Sequence, residues 1–139
     1  MRIDFHTHIF PDKIAANALQ HLVDNTKAYE HLYGPATPHT NATAEGLLSS
    51  SREAGLDYSL VLPIATSPRP TPTINDFAAT VNTMEGLRSF GSVHPLNPAF
   101  EEEIQRIKSL GLRGIKLHPE YQGCFVDDAE TIAVVKAAA

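Results

Sequence analysis

Tyr58-Ser59-Leu60-Val61-Leu62-Pro63 is almost continuously apolar and ends on a proline. A half-exposed antiparallel strand alternates polar and apolar residues; a parallel strand buried on both faces reads as an unbroken apolar run. The stretch therefore predicts a buried parallel strand. Three further runs share its character: Ile3 to His6 or a little beyond, Phe90-Gly91-Ser92-Val93-His94, and Gly114-Ile115-Lys116-Leu117-His118. Each is followed by a helical pattern, so the chain reads β-α-β-α-β-α-β-α, with two helical candidates before the second strand. Strands alternating with helices imply a parallel α/β sheet with right-handed crossovers.

The helices carry start and stop signals. Pro11-Asp12 opens a pattern with Ile14, Ala15, Ala18, Leu19 and Leu22 on one face. Thr43 is a candidate N-cap for a helix holding Leu47, Leu48 and Ala54, and Gly55 suits its left-handed end. Thr73 is a candidate cap for the helix carrying Ile74, Phe77, Ala78, Val81 and Met84. Asn97-Pro98 reads as cap and first residue of the next, with Glu101, Glu102 and Glu103 early, Arg106 and Lys108 late, and Gly111 after it. That order suits the helix dipole. A last pattern starts at Asp127-Asp128 and runs through Ile132 and Val135 to Ala139. Two loops are read as following strands directly: the polar stretch 25–42, and 63–73, which holds four of the ten prolines. A parallel layout puts them at the C-terminal edge of the sheet, where ligands bind.

Composition bounds the function. The chain has 139 residues, 42% hydrophobic and 19% charged, with 11 Lys+Arg against 16 Asp+Glu and a net charge of −5. This is a globular balance for one domain, and its mild acidity argues against a nucleic-acid surface. No stretch approaches the about 18 consecutive apolar residues of a membrane span. The N-terminus places Asp4, His6 and His8 where a signal peptide has its apolar region. A single cysteine, Cys124, excludes an internal disulfide and suits a reducing cytoplasm.

The residues with chemistry cluster at strand ends. In Asp4-Phe5-His6-Thr7-His8, residues two apart on a strand share a face, so His6 and His8 can present two imidazoles to one ion. Imidazole suits Zn2+ and other divalent transition metals. In Gly114-Ile115-Lys116-Leu117-His118-Pro119, Lys116 and His118 share a face at the end of their strand. Convergence of His6, His8 and His118 on one rim would make a three-nitrogen site with an open position, the pattern of a catalytic ion. Set against this are ordinary roles: water-satisfied histidines at a strand end, a rim histidine bonded locally, a solvated lysine. His94 lines the pocket or bonds its own loop. Asp4 is an outer-shell acceptor or bonds backbone. Cys124 reads as inert and buried. Arg69 meets a substrate carboxylate or stays solvated. His21, His31 and His39 read as surface or loop residues.

Asp-Phe-His-Thr-His-Ile-Phe-Pro at the start, Ser-Val-His-Pro in the middle and Gly-Leu-Arg-Gly-Ile-Lys-Leu-His-Pro-Glu-Tyr-Gln-Gly later resemble the amidohydrolase superfamily. The nearest branch is that of metal-dependent hydrolases which also contains decarboxylases of aromatic and related acids. The resemblance implies a (β/α)8 barrel with a divalent metal, most commonly zinc, at its C-terminal rim. It matches His6 and His8 to the first-strand ligands and His118 to the later histidine ligand. It also offers Lys116 as a counterpart of the carboxylated bridging lysine of two-metal members. The implied fold is α/β, the N-terminal portion (about four βα units) of a TIM-type barrel, with residues 1–139 as one partial domain. A whole barrel takes roughly 250 residues. The family's further rim histidine and late aspartate have no counterpart after His118, so no catalytic acid or base is assigned, and Asp127 and Asp128 read as helix-cap residues.

The implied activity is hydrolysis of a C–N or C–O bond in a small molecule. The alternatives are decarboxylation of a small carboxylic acid, or a metal-binding half-barrel without catalysis. A flavodoxin-like open domain is a further rival, but no glycine-rich phosphate loop follows the first strand. The expected partners are a small-molecule substrate and a second copy of the chain covering the unpaired sheet edges.

Overall fold

The computed structural model describes residues 1–27 and 30–139. Among these the elements run β1 (Ile3–Thr7), α1 (Asp12–Thr26), α2 (Glu30–Tyr33), α3 (Ala44–Glu53), β2 (Tyr58–Val61), α4 (Thr71–Asn82), β3 (Leu87–Ser89), β4 (Gly91–Ser92), α5 (Phe100–Ser109), β5 (Ile115–Lys116), α6 (Pro119–Gln122) and α7 (Ala129–Ala138). The described pairings are parallel, as the apolar runs predict. The polar 25–42 stretch contains α2; its residues 28 and 29 lie outside the described residues.

The sheet itself differs from the expectation. A four-strand sheet forming the first portion of a TIM-type barrel is not what the chain builds. Among the described residues it forms two small sheets, one of three strands in the order β1-β2-β3 and one of two strands, β4-β5. The expected third strand, Phe90–His94, is a junction. Leu87, Arg88 and Ser89 pair with Ser59, Leu60 and Val61, whereas Gly91 and Ser92 pair with Ile115 and Lys116. Phe90 N–H still reaches Val61 O (3.1 Å), and one residue later Gly91 N–H reaches Gly114 O (2.8 Å).

Side-chain volume explains the short second ladder. Gly114 leaves room for the Phe90 ring, which would lie 2.7–2.8 Å from a Cβ there. Gly91 faces Ile107 in the same way, at 2.9 Å. Both approaches are closer than any side chain tolerates, so these positions admit glycine alone without repacking.

Two apolar clusters flank the ladders. Ile9, Val61, Val81 and Leu87 form one, closed from outside by Leu47, Leu48, Phe77 and Met84. Ala78, Val93, Ile104, Ile107, Leu112 and Val134 form the other, beneath α5 and α7. Between them runs a buried polar network. Asn75, wholly buried, donates from Nδ2 to Ser92 O (2.9 Å) and Glu103 Oε1 (2.8 Å), and its Oδ1 accepts from Ser92 N (2.8 Å). Arg106 then joins Glu103 (2.9 Å) to Asp76, tying α5 to α4.

The helix ends follow local chemistry, with two shifts. Thr43 caps α3 as expected, accepting from Gly46 N (3.1 Å), and Gly55 beyond its end has φ +67°. The Thr73 cap does not form: α4 starts at Thr71, with Pro72 in its first turn, where a missing N–H costs nothing. Asn97 does not cap α5 either. Its Oδ1 takes Ala99 N (3.1 Å) and its carbonyl takes Phe100 N (3.1 Å), closing a turn, and the helix begins at Phe100. No described helix is long and apolar enough to cross a membrane.

Candidate metal centre

The first strand reaches the site through an irregularity. Asp4 pairs with Ser59 and Thr7 with Val61, so three steps on β1 match two on β2. One residue is extra, which locally re-aims the side chains of the bulged strand. Asp4 stabilises the distortion by accepting His6 N–H at Oδ1 (3.0 Å), the backbone role weighed for it above. Thr7 anchors the far side: its Oγ1 donates to Leu60 O (2.9 Å), and its carbonyl accepts Leu62 N–H (2.9 Å).

Beyond that anchor His6 and His8 face each other. Their Nε2 atoms lie 3.1 Å apart, with ring centroids at 5.0 Å and planes inclined by 68°. His8 Nδ1 lies 2.7 Å from Leu62 O. A carbonyl only accepts, so that nitrogen carries the proton and Nε2 keeps its lone pair. This is the outer-shell arrangement found behind metal-binding histidines. Two nitrogens at about 2.0–2.1 Å from one zinc ion, subtending about 90–110°, stand about 2.8–3.4 Å apart. The observed spacing falls inside that interval, so the pair fits a divalent ion. In the metal-free protein the same spacing suits a hydrogen bond from His6 Nε2–H to His8 Nε2.

The electrostatics favour the neutral form of His8. Partial burial lowers its pKa below the ordinary histidine value; the bond to Leu62 O opposes this, and the positive charges of His6, Lys116 and His118 lower it further. Of the strand-end candidates, His6 and His8 are in direct contact, while Lys116 and His118 act on His8 only through their electrostatics.

His118 is held differently from the pair. Its Nδ1 accepts from Tyr121 N (3.4 Å), making it the N-cap of α6, and its ring stacks on Tyr121 with centroids 4.3 Å apart. No group of three or more His, Cys, Asp or Glu side chains among the described residues is arranged to hold a metal ion. The pair is assembled; among the described residues no third ligand joins it.

The remaining candidates separate clearly. His94 is buried, with Nδ1 accepting Leu96 N (3.2 Å) and a second bond to the Gln122 backbone; burial lowers its pKa and that second bond opposes the shift. It bonds its own loop. Cys124 is buried and donates to Gln122 O (3.4 Å), with its thiol pKa raised by burial and by Asp128 and Glu130. Arg69, His21, His31 and His39 are exposed. Two surface hollows, one between the 95–100 turn and the start of α7 and one between α1, α3 and α4, are lined by none of the rim histidines.

Residue-type reasoning missed two contributors. One is the Leu62 carbonyl, which fixes the His8 tautomer and carries no side-chain signal. The other is Gln122, 5% exposed, whose Oε1 accepts His118 N (2.8 Å) while Nε2 donates to Ala65 O and Val93 O (both 2.9 Å). One amide thus fastens the segments following β2, β4 and β5. No protein-family model matches the chain, and no curated protein does.

Proposed function

We propose that the chain is a divalent-metal-dependent hydrolase domain of the amidohydrolase type, with His6 and His8 as ligands and a small molecule as substrate. One observation carries this reading: two Nε2 atoms 3.1 Å apart, one made a lone-pair donor by the Leu62 carbonyl. Zinc is the ion the imidazole pair favours. When bound, such an ion supplies Lewis acidity toward a carbonyl oxygen and lowers the pKa of a coordinated water. The chain's own residues prepare the place. Asp4 and Thr7 hold the end of β1, the Leu62 carbonyl orients His8, and Lys116 adds positive charge nearby.

The Lys116 charge that acts on His8 favours a second reading, decarboxylation of a small carboxylic acid, because a carboxylate would be attracted to it.

The test is stoichiometric. Protein stripped with a chelator is titrated with Zn2+ or Co2+ and then assayed on amide, ester, lactone and carboxylic-acid panels. One ion per chain is expected, with His6→Ala and His8→Ala each weakening binding by about tenfold or more. Turnover of the first three substrate types supports the hydrolase, and release of CO2 from the acids supports the decarboxylase. Absence of stoichiometric binding, or unchanged affinity in both variants, overturns the metal site.

A further inference from the structure

Helix α7 is apolar almost all round, yet it is covered on one side only. Of its ten residues, Glu130, Thr131 and Lys136 are the polar ones. Such a helix is ordinarily buried on every side. Thr131 and Val134 do face the core, but Ile132 and Val135 are 39% and 52% exposed. Ile132 lies four residues after the N-cap Asp128 and Val135 seven, so the three share a face, with Lys136 beside its far end. The outer stripe therefore runs acidic, apolar, basic, and from Asp128 to Lys136 it is about 12 Å long.

The groove between α1, α3 and α4 has a matching order. Its volume is about 710 Å3, and the half-buried Leu48, Phe77 and Met84 form an apolar floor. Glu45 in the first turn of α3 and Arg52 in the last stand at its two ends, with Leu48 between them on the same face. They are about 10.5 Å apart along the helix. Asp12 and Lys13 close the Glu45 end and offset each other in charge. Among the described residues no ion pair engages Glu45, Arg52 or Lys136. Asp128 accepts Phe125 N–H at Oδ2 (2.6 Å), which leaves Oδ1.

We propose that this groove is the docking site for α7 of a second copy of the chain, laid antiparallel to α3. That orientation sets the partner's Asp128 against Arg52 and the partner's Lys136 against Glu45. It lowers the partner's Ile132 and Val135 onto Leu48, Phe77 and Met84. A parallel orientation would oppose like charges at both ends, so charge selects the direction. Each copy has one groove and one α7, and a twofold pair that exchanges the two helices fills both grooves at once.

Sedimentation velocity on the full chain tests this. From about 5 μM to about 1 mM the chain should show a monomer–dimer equilibrium. Ile132→Asp, which carries a charge onto the apolar floor, should weaken the dimer by about tenfold or more. Lys136→Glu should weaken it about three- to tenfold. Glu45→Lys combined with Lys136→Glu restores opposite charges and should return the affinity to within about threefold of the unmodified chain. All three positions are exposed, so circular dichroism should not change. A chain that stays monomeric throughout, a dimer indifferent to Ile132→Asp, or a double reversal no tighter than Lys136→Glu alone overturns the proposal.

Discussion

Removing the Gln122 amide should loosen the rim beneath His118 and cost the fold a measurable share of its stability. Gln122→Ala leaves His118 N–H without its partner and strips a donor from Ala65 O and from Val93 O, in a place where the side chain is 5% exposed. An orphaned buried N–H costs about 1–3 kcal/mol, and each carbonyl deprived of its donor adds about 1 kcal/mol at the low end of the same range. The vacated methylenes add about 1 kcal/mol. The expected loss is about 4–6 kcal/mol, out of a total of about 5–15 kcal/mol for a domain. Gln122→Met, which restores volume without hydrogen bonds, should recover only the packing share, about 1 kcal/mol. Urea unfolding followed by circular dichroism reads the loss as a lower midpoint at unchanged slope. Amide exchange reads its location, because the His118 N–H should lose protection beyond the global change. A loss below about 1 kcal/mol, or full protection of His118 N–H in Gln122→Ala, would refute the reasoning.

Other consequences are equally direct. Gly91→Ala drives a methyl group to 2.9 Å from Ile107 carbons and should cost about 1–3 kcal/mol, a penalty that shrinks in an Ile107→Ala background; a double-mutant cycle by urea unfolding measures the coupling. Burial lowers the His94 pKa, so between its folded value and the usual 6.5 the unfolded chain binds more protons. The His94 contribution is therefore full above pH 6.5 and is lost as pH falls through 6.5 toward the folded value. Unfolding free energies across that range should decline less steeply for His94→Asn than for the unmodified chain. The Cys124 thiol, buried and with its pKa raised, should react slowly with a disulfide reagent in the native protein and rapidly in urea; fast native labelling would contradict its burial.

The sequence was legible wherever a local rule acts alone. Apolar runs at Ile3, Tyr58 and Ile115 marked parallel strands, Thr43 marked a cap, and Gly55 and Gly111 marked helix ends at φ +67° and +79°. It misled where two local rules compete. Asn97 closes a turn as readily as it caps a helix, and the carbonyls nearby chose the turn. Phe90-Gly91-Ser92-Val93-His94 satisfies every criterion for one strand, yet the chain changes partners at Phe90, where a ring fits over a glycine distant in sequence.

The same division runs through the site. Residue type and spacing alone brought His6 and His8 to one end of one strand, because a pleated backbone repeats every second residue. They also placed Lys116 and His118 at the matching end of another parallel strand. What each imidazole offers depends on which backbone group meets its Nδ1, a carbonyl at Leu62 for His8 and an N–H at Tyr121 for His118. Those partners come from the residue just after β2 and from a four-residue helix. Sequence thus determined that His6 and His8 would share one strand end; only the tertiary structure decided which nitrogen of each histidine meets a donor or an acceptor, because a tautomer is set by the polar group that packing puts opposite it.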